Sequence, residues 1–139
     1  MSSNSTRSAV VVLQFLVGGL MTFGGYAFAF FAVNSFGSEL GWIHFAVGMV
    51  GLLAAFLALT GRISQLRGFL IAINIVSIVY SLFSETLADT ESRLEGPDLI
   101  GSLIGTIIAV VMSAAISYIL VTRMPDARTS PVRNDPVVV

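Results

Sequence analysis

Four long apolar segments separated by polar gaps dominate this chain: Ala9–Val33, Trp42–Thr60, Gly68–Phe83 and Leu99–Thr122. No Asp, Glu or Arg falls inside any of them, and the period-2 alternation of a membrane β-strand is absent. A helix at the surface of a soluble protein keeps a charged face toward water, and these segments have none to offer. The pattern predicts an all-α fold, an integral membrane four-helix bundle. Helices are the expected element because hydrocarbon gives the backbone no hydrogen-bond partner. At ~1.5 Å rise per residue the third segment reaches only ~24 Å, short of a ~30 Å hydrocarbon core. Its helix is therefore expected to run on through Ser84–Leu87 or to start by Arg67.

The gaps and ends complete the predicted organisation. Residues 1–8 are rich in Ser and Asn, and residues 123–139 contain Pro125, Pro131 and Pro136 among small polar residues. Both ends are expected to be disordered, leaving residues 9–122 as the transmembrane domain. The short turn Gly61–Arg67 makes segments two and three antiparallel neighbours. No helix breaker lies between Ser84 and Glu95, where Leu87 and Leu94 recur among acids. That stretch predicts an extension of helix three or a short surface helix, ended by Gly96-Pro97. Pro97 and Asp98 suit the first turn of helix four, where proline lacks no needed N–H and a carboxylate meets the positive helix end.

Charge adds orientation. Of the seven basic residues, all arginine, six lie in the amino-terminal segment, the second gap and the tail. Of the eight acids, six lie in the first and third gaps: Glu39, Glu85, Asp89, Glu91, Glu95 and Asp98. The positive-inside rule then predicts both termini in the cytoplasm and a plasma-membrane protein with an acidic outer face. Arg7 followed by an apolar run to Ala27-Phe28-Ala29 also has the outline of a cleavable signal peptide. Its apolar stretch exceeds the usual ~7–15 residues and continues to Val33, which favours a retained helix. Trp42 is expected at the outer interface and Tyr118 at the inner one.

Small and weakly polar residues form stripes at helical spacing. Segment one has Gly18, Thr22, Gly25, Ala29 and Ala32; segment two has Gly41, His44, Gly48, Gly51, Ala55 and Ala58. Segment four has Gly101, Gly105, Ala109, Ser113 and Ser117, each four apart. Lipid gives no hydrophobic drive to helix association, so close backbone contact and weak interhelical hydrogen bonds must supply it. The segment-four stripe is a candidate packing face, turned either into the bundle or toward another membrane protein or a second copy. Asn74, Ser77 and Ser81 share a face of segment three and are either a polar lining or interhelical hydrogen-bonding groups. Gln14 and His44 are expected near the two interfaces. The pairs Glu85/Asp89 and Glu91/Glu95 are spaced to face one cation, although a solvated acidic face accounts for them more simply.

These observations restrict function. With no cysteine and one histidine, thiolate chemistry and a multi-histidine haem or copper site within one chain are excluded. Ion-coupled transport usually needs an ionisable residue within the spans, such as the first-helix glutamate of small multidrug exporters, and segment one has no counterpart. Nothing resembles a nucleophile–base pair, a metal cluster or a phosphate-cradling loop. No catalytic, metal or cofactor residues are therefore expected. The expected partners are the bilayer and another membrane protein or second copy through helix four, with no nucleic acid. Two roles follow: a non-catalytic accessory, assembly or scaffold subunit of a membrane complex, or a small passive translocator or channel lined by Asn74, Ser77, Ser81 and Thr106.

Overall fold

The computed structural model describes residues 3–31, 35–61, 63–91 and 97–124, with side chains described over 4–30, 39–61, 63–84 and 103–124. Four helices follow one another: α1 (Ser3–Phe31), α2 (Ser35–Leu59), α3 (Ile63–Glu91) and α4 (Pro97–Arg123). Each contains a stretch long and apolar enough to cross a membrane, from Asn4–Phe30 in α1 to Leu103–Arg123 in α4. The shortest of these stretches has 21 residues. At ~1.5 Å per residue it reaches ~32 Å, enough for a ~30 Å hydrocarbon core.

Each helix is longer overall than its apolar segment, mostly by starting earlier. Residues 1–8 read as disordered, yet α1 begins at Ser3. The reason is tertiary: Thr6 is buried, and Arg7 donates from Nη2 to the Leu59 carbonyl at 3.1 Å. These contacts hold the first two turns of α1 against the end of α2. Likewise α2 starts at Ser35, where a gap was expected as far as Gly41. Leu40 in that gap is buried, and its carbonyl accepts the Tyr80 hydroxyl at 2.7 Å. The third helix extends in both directions, running from Ile63 to Glu91. Pro97 opens α4, as its missing N–H favours. The tail from residue 125 and the breaker Gly96 lie outside the described residues, as do the side chains of the acids from Glu85 to Asp98.

The α2–α3 connection is tighter than the turn expected over Gly61–Arg67. Thr60 and Gly61 donate their N–H groups to the Leu57 and Ala58 carbonyls, both at 3.2 Å. Gly61 then takes a φ of +88°, the left-handed conformation that ends helices and that a Cβ disfavours. The chain reverses there and re-enters a helix at buried Ile63.

The small-residue stripes of segments one and two meet as one antiparallel seam. Gly18 packs on Gly51 and Leu52, Thr22 on Gly48, Gly25 on the backbone of His44 and Phe45, and Ala29 on Gly41. A Cβ on Gly18 would lie 2.7 Å from the Leu52 nitrogen, and at Gly25, Gly41 and Gly48 it would press still closer on partner backbone. Such intimacy is how helices associate where water supplies no drive. Around this pair, Leu70 and Ile73 of α3 and Ile116 and Leu120 of α4 join Val10, Val17, Met21 and Ala54 in a common core.

Two arginines finish helix ends at one pole of the bundle, hereafter the arginine end. Arg67 Nε donates to the Leu120 carbonyl of α4 at 2.9 Å, much as Arg7 serves Leu59 of α2. The last carbonyls of a helix have no intrahelical donor, and a cation there also opposes the dipole's negative end. Replacing Arg67 with Gln is expected to cost about 1 kcal/mol locally. Amide exchange in the last turn of α4 should then quicken about fivefold, with the centre of α1 unchanged. At the other pole, Tyr26, Phe30, Trp42 and Phe45 form a ring cluster, the closest pair being Tyr26 and Phe30 at 4.7 Å between centroids.

Candidate functional site

The bundle interior holds a node of neutral polar side chains contributed by three helices. Extending the α1 stripe one turn back from Gly18 leads to Gln14, which the sequence places near an interface. Instead it is fully buried. Its Nε2 points at the Gly51 carbonyl at 3.5 Å, across a gap that the glycine's missing side chain leaves open. Its Oε1 accepts the Asn74 Nδ2 at 2.7 Å, a diagonal link between α1 and α3. The same Nδ2 also donates to the Leu70 carbonyl at 2.7 Å. Sequence alone does not mark Gln14 as buried, because glutamine near a helix end suits an interface equally well. Its spacing from Gly18 and Thr22 was the available signal.

Ser113 belongs at the height of this node. Arg67 touches Leu120, and seven residues inward along antiparallel α3 and α4 lie Asn74 and Ser113. Seven residues are close to two helical turns, so both side chains return to the same face. Ser113 is as buried as Asn74. Among the described residues, Asn74 Oδ1 and the hydroxyls of Ser81, Ser113 and Ser117 are buried without a hydrogen-bond partner. Ser77 returns its hydroxyl to the Ile73 carbonyl of its own helix at 2.8 Å. Of the candidate lining, Asn74 therefore reaches a second helix, while Ser77 bonds locally.

The node is closed toward the arginine end. Val10 lies between Arg7 and Gln14, Leu70 between Arg67 and Asn74, and Leu120 between Arg123 and Ser113. All three are fully buried. The helix-four stripe divides. Ala109 and Ser113 are buried and the Ser117 hydroxyl is enclosed, so this part of the stripe faces the other helices. Gly105 has nothing within 4 Å of the place a Cβ would occupy, and the surroundings of Gly101 lie outside the described residues. Thr106 is half-buried.

His44 stands apart from the node. Its ring meets Tyr80 edge-on at 5.5 Å, and Tyr80 is itself tied to Leu40. Trp42 and Tyr118 are exposed, at opposite ends of the bundle. Among the described residues no three His, Cys, Asp or Glu side chains gather. The acid pairs Glu85/Asp89 and Glu91/Glu95 lie outside the described side chains.

Chemically, the node supplies amide and hydroxyl groups that donate and accept hydrogen bonds at neutral charge. Such groups fix helix register strongly where water is scarce, because breaking them strands a polar atom. The class these features define is an all-helical bundle with four membrane-competent helices. No family model, no curated protein and no solved structure matches the chain.

Proposed function

We propose that this chain is a multi-pass plasma-membrane protein with both termini cytoplasmic, working as a non-catalytic accessory, assembly or scaffold subunit of a membrane complex. The observation that carries the reading is the buried polar node, closed toward the arginine end. Gln14 and Asn74 bond to each other, and the buried layer of Val10, Leu70 and Leu120 separates them from the arginine end. A solute path needs continuity, and the two buried amides of this interior instead bond to each other across helices. What the bundle offers outward is apolar side chains, among them Phe23, Phe56, Val79, Ile107 and Val111. That surface suits lipid and the helices of a membrane partner, and the open side of Gly105 allows close approach along α4. Charge sorting supports the orientation, since six of seven arginines fall on one side. Affinity purification in a mild detergent tests the role. The expected result is stoichiometric recovery with one membrane complex; a lone chain that passes solutes in liposomes would overturn it.

One observation favours the translocator as a second reading. Buried polar atoms without partners cost about 1–3 kcal/mol each, and water entering the node would relieve those of Asn74 and Ser113. Under that reading, Ser113→Val lowers solute flux in liposomes without changing the assembled state.

A further inference from the structure

At the arginine end, the first turns of α1 and the last turn of α2 form an open groove of about 360 Å³, lined by Asn4, Arg7, Ser8, Val11, Val12 and Leu59. One end is cationic and polar, and the wall of Val11, Val12 and Leu59 is apolar. We propose that this groove binds one anionic glycerophospholipid, its phosphate against Arg7 and the start of an acyl chain along Val12 and Leu59. The proposal rests on reading the chain as a membrane protein whose arginine end meets the anionic leaflet.

The guanidinium is already positioned for such a ligand. Arg7 lies over Gly61, its guanidinium within 3.4 Å of where a Cβ would stand, and its Nη2 is anchored on the Leu59 carbonyl. A guanidinium has five N–H donors in a fixed fork, so this one bond leaves most of them for a phosphate. The charge balance favours an anion. The carbonyl end of α2 carries roughly half a negative charge, against a full positive charge on Arg7. The amino-terminal end of α1 adds a partial positive charge beside Asn4 and Ser8, and none of the six lining residues is acidic.

Size and position select the source of that phosphate. A volume of 360 Å³ is near the lower end of small-ligand sites, enough for a headgroup and part of a chain but not for a folded segment. The groove sits where the apolar span of α1 begins, at Asn4, and where that of α2 ends, at Leu59. Val12 and Leu59 are more than half exposed, and they continue the groove along the apolar face. A free phosphate would use only the polar end; a phospholipid uses both. Anionic headgroups bind basic pockets between helices in this setting.

Native mass spectrometry of the full chain, titrated with phosphatidylglycerol or phosphatidylcholine, tests the proposal. One phosphatidylglycerol is expected to bind at least tenfold more tightly than phosphatidylcholine. Arg7→Gln and Val12→Trp should each weaken it at least tenfold, and Arg123→Gln should change it less than twofold. Val12→Trp fills the groove while retaining the Arg7–Leu59 bond, so its effect does not depend on loss of that helix cap. Equal affinity for the two lipids, or wild-type affinity in Val12→Trp, would overturn the proposal. Displacement of the lipid by equimolar inorganic phosphate would assign a free-anion site instead. Alkaline carbonate extraction separates the two levels. Release from the membrane defeats the membrane reading itself, whereas retention with indifference to phosphatidylglycerol defeats only the lipid site.

Discussion

Gly48→Ala and Gly24→Ala, the same substitution on adjacent helices, are expected to change stability in opposite directions. At Gly48 a methyl group would be driven into the backbone nitrogen and hydroxyl of Thr22, and the backbone cannot rotate away. The two helices must part by some tenths of an ångström along a seam that Gly25 and Gly41 hold equally close. Overpacking of this kind costs about 1–3 kcal/mol, and the rigidity of backbone against backbone puts Gly48 at the upper end. Gly24 has nothing within 4 Å of its would-be Cβ. There alanine's better helix propensity should stabilise the bundle by up to about 1 kcal/mol. Reversible unfolding in mixed micelles measures both. A neutral Gly48→Ala would mean that α1 and α2 do not approach as described.

Gln14→Leu is expected to destabilise the bundle by about 1–3 kcal/mol. It strips the Asn74 amide of its interhelical acceptor and leaves the Gly51 carbonyl without a side-chain donor. Asn74→Leu should cost a similar amount by stranding Gln14 Oε1. The double variant should cost clearly less than the sum, because two leucines leave no orphaned amide behind. The coupling in that cycle is expected at about 0.6–2 kcal/mol, the range of hydrogen bonds between membrane helices. Strict additivity in mixed-micelle unfolding would mean that the two side chains do not meet.

Much of the fold was legible because its signals are local. Absence of charge over a long run can be read residue by residue, and the four runs became four helices. Pro97 opened α4 because its missing N–H acts within one turn. The stripe Gly18, Thr22, Gly25 and Ala29 was visible too, since helical spacing alone puts those residues on one face. Helix ends were less legible. Ser3–Ser8 has the composition of a loose terminus, and nothing local says that Arg7 will reach the last carbonyls of α2. Gln14 was misplaced for the same reason: its acceptor and donor lie 37 and 60 residues away.

The candidate site shows that division most clearly. Asn74 stood out as the one amide in the middle of an apolar run, but whether it lines a path or joins two helices depends on what faces it. The stripe on α4 was equally open, since five small residues at four-residue spacing look alike from within one helix. Packing separates them: Ser113 is buried, while Gly105 has open space beside it.

The sequence by itself therefore determined the solvent-facing character of the chain, its four apolar helices, the sorting of charge between the gaps and the faces that carry small residues. These follow from transfer free energies and helical periodicity, which act on each segment independently. Only the tertiary structure decided that the first two stripes meet each other, that Gln14 turns inward to Asn74, and that Arg7 closes α2 beside a groove. Those outcomes depend on which helices become neighbours and at what height, a choice made by contacts between residues far apart in the chain.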